Sequence, residues 1–168
     1  MSTDRRNSER TLSAGKLPPE LLSTLLTGIS LPPSVRVGPD VGVDAAVIDV
    51  GGRYLVLGMD PVTLSAEPGC FSVVVNANDI AVLGGVPRWL LATILLPIAC
   101  SAEEPLAAMS QLREACNTLG IALVGGHTEV TDHVDRTLVV ACMIGEVEEN
   151  RLVTPAGAVQ GDVVILAG

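Results

Sequence analysis

Three aspartates set in apolar surroundings carry the most legible chemistry in this chain. Asp44 ends the loop Gly38-Pro39-Asp40-Val41-Gly42-Val43, where a strand is expected to begin. Asp60 is expected where the returning strand of a hairpin stops. Asp79 interrupts the run Val73, Val74, Val75, Ile80, Val82 and Leu83. An ionised carboxylate in such a run must meet a cation, a hydrogen-bond donor or water. Asn76 lies three residues before Asp79, on the same helical face, so the two make one polar spot on an apolar helix. The plain alternatives are an exposed stripe for that spot and ordinary turn aspartates for Asp44 and Asp60. Mg²⁺ takes oxygen ligands, and it uses few protein carboxylates together with substrate phosphates. Separate aspartates converging from element ends suit that ion.

A second group follows in Gly125-Gly126-His127-Thr128-Glu129. Gly38, Gly42, Gly125 and Gly126 would let backbone N–H groups approach a phosphate closely. Neither the P-loop nor the dinucleotide-binding glycine fingerprint occurs. Of the two histidines, His133 reads as a satisfied loop residue.

The elements that must position these groups can be read from turns and periodicity. Pro18-Pro19-Glu20 opens a helix over 20–28. A strand is expected over 45–50, a Gly51-Gly52 turn, and a return strand over 54–59 stopped by Asp60-Pro61. Residues 70–84 read as a buried helix closed by Gly84-Gly85. A strand over 88–96 stops at Pro97. Ser101 and Glu104 form a capping-box pattern that opens a helix over 103–119, ended by Gly120. A short buried strand is expected over 121–124, a long one over 136–147, and the start of another from 163 onward. The order implies an α+β fold, a mixed β-sheet with helices on one face. The strands WLLATILL (89–96) and LVVACMI (138–144) are apolar on both faces, so both faces need cover. Three helices can cover one; a sheet-to-sheet homodimer would cover the other.

Composition bounds the function classes. Hydrophobic residues make up 48 % of the 168 residues and aromatics only 2 %, so the core must be aliphatic. The mean hydropathy is +0.49. Nineteen acidic against ten basic residues leave a net charge of −9, which argues against nucleic acid as a partner. The four cysteines show no zinc spacing and read as reduced, mostly buried thiols. No run is long and apolar enough for a membrane span, and residues 1–16 are polar without a signal-peptide core. The expectation is a cytoplasmic protein with a flexible tail over 1–16 and one domain over 17–168.

Taken in order, Val41-Gly42-Val43-Asp44-Ala45-Ala46-Val47-Ile48, Met59-Asp60-Pro61, Asn76-Ala77-Asn78-Asp79-Ile80-Ala81 and Gly125-Gly126-His127-Thr128-Glu129 resemble the aminoimidazole-ribonucleotide-synthase superfamily. That superfamily includes the hydrogenase-maturation carbamoyl dehydratase, selenophosphate synthetase and thiamine-monophosphate kinase. The resemblance covers about residues 35–168 and looks closest to synthase-related proteins near the dehydratase. It implies a nucleotide-binding N-terminal domain that dimerises through its sheet into a shared β-barrel. It further implies ATP in a cleft beside the barrel, with Asp44, Asp60 and Asp79 as Mg²⁺-phosphate positions. Asn76, Gly125, Gly126, His127 and Thr128 would join them around the nucleotide. The implied chemistry is ATP-dependent phosphorylation of a substrate oxygen, as in the dehydratase. Alternatives are a thiamine-monophosphate-kinase-like phosphotransferase and a non-catalytic dimerisation or nucleotide-sensing domain. This sequence departs from the family at Val43-Asp44, where many members carry two adjacent acidic residues. It departs again at His127, which is acidic in several branches. The family's segment at Gly161-Asp162 leads into a second domain that helps close the active site. That domain is expected to be absent here, and a separate protein could supply it.

Overall fold

The structure is a computed structural model describing residues 11–63 and 65–166. The chain divides into two units, Met1–Ser30 and Leu31–Gly168. Among the described residues the first holds one helix, α1 (Pro19–Leu26), with proline in its first turn and no buried residue. The expectation of a flexible 1–16 falls mostly on residues 1–10, outside the described residues; residues 11–16 are exposed and form neither helix nor strand.

The second unit runs β1 (Val35–Val37), β2 (Ala45–Asp49), β3 (Tyr54–Val62), α2 (Pro68–Val82), β4 (Val86–Pro97), α3 (Glu103–Leu119), β5 (Ala122–Thr131) and β6 (Leu138–Val147). Two short 3₁₀ turns follow at Glu149–Arg151 and Pro155–Gly157. The six strands lie in the order β1-β2-β3-β6-β4-β5. Neighbours are antiparallel except β4 and β5, which run parallel and are joined through α3. The sheet is mixed, as expected, and within the single chain it is open from β1 to β5.

Helices α2 and α3 cover one face of this sheet. Alternation along β6 shows why: Val139, Ala141, Met143, Gly145 and Val147 are buried, while Val140, Cys142 and Ile144 between them are only half-buried. Beneath the helices, Ile80 of α2 and Leu112 of α3 are fully buried with Val56, Leu90 and Met143. Each such side chain contributes about 1.5–3 kcal/mol relative to exposure. Helix α3 carries acidic Glu103 and Glu104 in its first turn, where the helix dipole favours them, and ends on left-handed Gly120. Half of the capping pattern forms: the Glu104 carboxylate accepts the Ser101 backbone N–H at 3.2 Å.

Several expected boundaries are corrected. Strand β3 does not stop at Asp60 but continues through Pro61 to Val62. Beyond Gly58 its β2 neighbour has ended, so the proline removes no ladder hydrogen bond on that side. Strand β5 does not end at residue 124 but runs through Gly125-Gly126 to Thr131. Residues 163–166 form no strand and stand exposed, from 79 % at Val163 to 102 % at Val164. The helix over 20–28, counted among those covering the sheet, buries nothing. Strand β1 is additional; three residues are too few to show a period.

Candidate functional site

The β2–β3 hairpin brings the first two aspartates to one end of the sheet. Ala45 pairs with Gly58, which places Asp44 at the entry to β2 and Asp60 two residues beyond that pair on β3. Helix α2 lies over the same face. Gly58 marks where the elements meet: a Cβ there would lie 3.4 Å from Asp79 Cβ and 3.7 Å from the Asp44 carbonyl oxygen. A larger residue would fill the space between those two aspartates. A glycine inside a strand is the sequence signal for such a close approach. The sequence carries that signal at Gly58, between Leu57 and Met59, where the strand expectation alone does not reveal it.

Asn76 explains how Asp60 is held. Because β2 has ended, the Asp60 backbone faces α2 with a donor and an acceptor that no strand satisfies. The Asn76 amide takes that strand's place. Its Oδ1 accepts the Asp60 N–H at 2.9 Å, and its Nδ2 donates to the Asp60 carbonyl at 3.5 Å and the Ser72 carbonyl at 2.8 Å. Asn76 is fully buried, and it and Ser72 are the buried polar residues of the core. Asp79 lies three residues further along α2, half-buried, with its Oδ2 shut off from solvent. Asp60 is half-buried and Asp44 exposed. The structure therefore brings together Asp44, Asp60, Asn76 and Asp79.

The donors at this end are hard oxygens, as Mg²⁺ prefers. Among the described residues, no group of three or more His, Cys, Asp or Glu side chains is close enough to hold a metal by itself.

The glycine-rich group lies elsewhere, on edge strand β5. Gly126 occupies the same cross-sheet row as Asp60, through Ala92 and Ala141. That is three strand spacings, about 14 Å. Gly126 must be glycine: its φ is 153°, and a Cβ would collide with the Ala92 carbonyl. A hollow of about 420 Å³ is lined by Gly125, Gly126, His127 and Thr128 together with Met109 of α3. Strand alternation then separates the group. Gly126 and Thr128 share the helix-covered face, while His127 and Glu129 point to the open one, where His127 Nε2 lies 3.1 Å from Glu129 Oε2. Within one chain, Gly125, Gly126, His127 and Thr128 are not joined to the aspartate cluster.

Comparison with known proteins bears on the family and the fold. Residues 42–147 match the family described as AIR synthase related protein, N-terminal domain. A selenide, water dikinase of Paraburkholderia xenovorans is 32 % identical over 160 residues, spanning 90 % of this chain and 44 % of that protein. A putative hydrogenase expression/formation protein of Methanocaldococcus jannaschii is 25 % identical over 131 residues, 74 % of this chain and 39 % of that one. The chain thus spans less than half the length of these relatives. A crystal structure of the hydrogenase maturation protein HypE in complex with ATP has the same fold. Its TM-score is 0.57 at 23 % identity, covering 68 % of this chain and 36 % of that one. On the match over residues 42–147, the chain belongs to the AIR synthase related family, as its N-terminal domain.

Proposed function

We propose that this chain is the nucleotide-binding part of an ATP-dependent enzyme of the hydrogenase-maturation-dehydratase type. In this reading it binds Mg²⁺-ATP at the aspartate end of the sheet and activates a substrate oxygen by phosphorylation. The observation that carries the reading is that Asp79 and the Asp44 main chain meet at side-chain-free Gly58, two residues before Asp60 on the same strand. That a HypE of the same fold was solved with ATP supports it.

Bound Mg²⁺ would neutralise phosphate charge and polarise the transferred group. Asp60 and Asp79 would hold the ion, with Asp44 joining from the solvent side. Asn76 fixes the Asp60 backbone, so the two inner carboxylates keep a set spacing before ligand arrives. The fully buried Val73 and Ile80 beside them exclude water from the inner side of the site. Gly125, Gly126, His127 and Thr128 would meet the nucleotide from a second chain. A homodimer through the open sheet face would bring a β5 strand near a partner's aspartates. Half-buried Leu55, Leu57, Cys142 and Ile144 with exposed Met59 give that face its apolar surface.

Calorimetric titration with ATP, with and without Mg²⁺, tests the reading. The expected outcome is Mg²⁺-dependent binding, weakened at least about tenfold by Asp60→Ala or Asp79→Ala, the effect of losing one charge-assisted contact. Unchanged affinity in both variants would remove the site assignment.

A further inference from the structure

At the opposite end of the sheet lies a cleft of about 430 Å³ that the aspartate chemistry does not use. Tyr54 and Asp60 are six residues apart on β3, so the cleft is about 20 Å from the aspartates. Three arginines line it: Arg53 from the hairpin turn, Arg88 from β4 and Arg151 from the 3₁₀ turn after β6. Its acidic residues are Glu146 and Glu148, so the lining is net positive on a chain whose net charge is −9.

The arginines are arranged rather than scattered. Glu146 uses one oxygen for each of two guanidiniums, with Arg53 Nη2 at 2.8 Å from Oε1 and Arg88 Nε at 3.5 Å from Oε2. Each guanidinium has five donors, so most remain for another acceptor. Among the described residues Arg151 has no carboxylate partner. Its backbone is nonetheless fixed: the Arg151 N–H donates to the Glu148 carbonyl at 2.9 Å, and the Val153 N–H donates to Leu83 at the end of α2 at 3.1 Å. Three guanidiniums from three elements, two cross-linked by one carboxylate and one anchored by its main chain, form a fork-lined concavity. Guanidinium geometry matches the oxygens of a tetrahedral dianion.

We propose that this cleft is a second anion site, distinct from the aspartate cluster, that takes a phosphate group, free or as a terminal phosphoester. Arg151 supplies the contact that no ion pair occupies among the described residues, and Arg53 and Arg88 complete the cradle from the Glu146 side.

Calorimetry of the full chain with inorganic phosphate at constant ionic strength tests this, with sodium chloride and glycerol 3-phosphate as parallel titrants. The expected result is one phosphate per chain, weakened about tenfold by Arg151→Gln and again by Arg53→Gln. Asp60→Asn and Asp79→Asn should leave it unchanged, which separates this site from the Mg²⁺-ATP reading. Glycerol 3-phosphate binding as well as phosphate assigns a phosphoester; binding of phosphate alone assigns the free anion. No binding at millimolar phosphate overturns the proposal, as does equal competition by chloride. So does an Arg151→Gln protein that melts earlier yet binds phosphate as before, since Arg151 would then serve only the helix end.

Discussion

The two faces of the sheet are built from the same residue types and have different fates. Under α2 and α3, Val139, Ala141 and Met143 are completely buried. On the other side of the same strand, Val140, Cys142 and Ile144 are half-buried, and across the sheet Leu91 is 38 % and Met59 65 % exposed. The difference teaches that continuous apolar runs such as residues 89–96 report a need for two covers, while the single chain supplies one. The proposed homodimer would supply the second.

The comparison breaks first in the core. Met143→Ala should lose about 2–5 kcal/mol of stability, because a cavity forms under two helices. Ile144→Ala, one residue away, should lose only about 1 kcal/mol in dilute protein. Chemical denaturation of both variants measures the contrast. If the open face is covered by a second copy, the Ile144→Ala penalty grows with protein concentration, whereas the Met143→Ala penalty in the monomer does not. Equal penalties at the lowest concentration would mean that the open face is covered within the chain.

The next effect is polar and lies on the covered face. Asn76→Ala leaves the Asp60 backbone without its partners and should cost about 1–3 kcal/mol. The same denaturation measurement checks it, and Asn76→Asp, which sets a buried carboxylate against the Ser72 and Asp60 carbonyl oxygens, should cost more than Asn76→Ala.

The smallest effect belongs to the sheet margin, where neither cover reaches. Arg36 Nη2 is 2.7 Å from Asp49 Oδ2, and the guanidinium lies 5.6 Å from the Tyr54 ring centre. The hydrogen bond from Arg36, and then that from the Gly52 N–H, holds the Asp49 carboxyl below its ordinary value of 3.8. Its folded value is depressed, so its contribution is fully present above that ordinary value. The contribution is lost as pH falls through the lower folded value. Thermal melting from pH 6 to pH 2 should show a slightly smaller acid loss in Asp49→Asn, an exposed pair contributing little.

These contrasts also explain what could be read in advance. Helix α2, the polar pair Asn76 and Asp79 on it, and the helix stop at Gly120 are local facts, set by periodicity and turn chemistry. The resemblance implies Asp44, Asp60 and Asp79 as Mg²⁺-phosphate positions; the hairpin register places Asp44 and Asp60 at one end of the sheet, and Gly58 lets Asp79 approach there. The limits of β3 and β5 differ from the expected ones because Pro61 and Gly125-Gly126 are breakers only inside a fully paired strand. Whether a neighbouring strand is present is a property of the sheet, invisible in a local window. The three arginines of the second cleft, 98 residues apart between Arg53 and Arg151, carry no common motif.

Asn76 standing in for a missing strand has a mechanical consequence. It ties α2 to β3 by hydrogen bonds at a single register, and a slip of one helical turn, about 5.4 Å, would abolish them. The helix therefore behaves as a keyed shaft rather than a sliding lid, and the spacing between the carboxylates of Asp60 and Asp79 is settled during folding. A ligand arriving there meets a finished mould and orders little backbone on binding. The corresponding signature is kinetic: the Asp60 amide should exchange its hydrogen as slowly as the central β6 amides, with or without nucleotide.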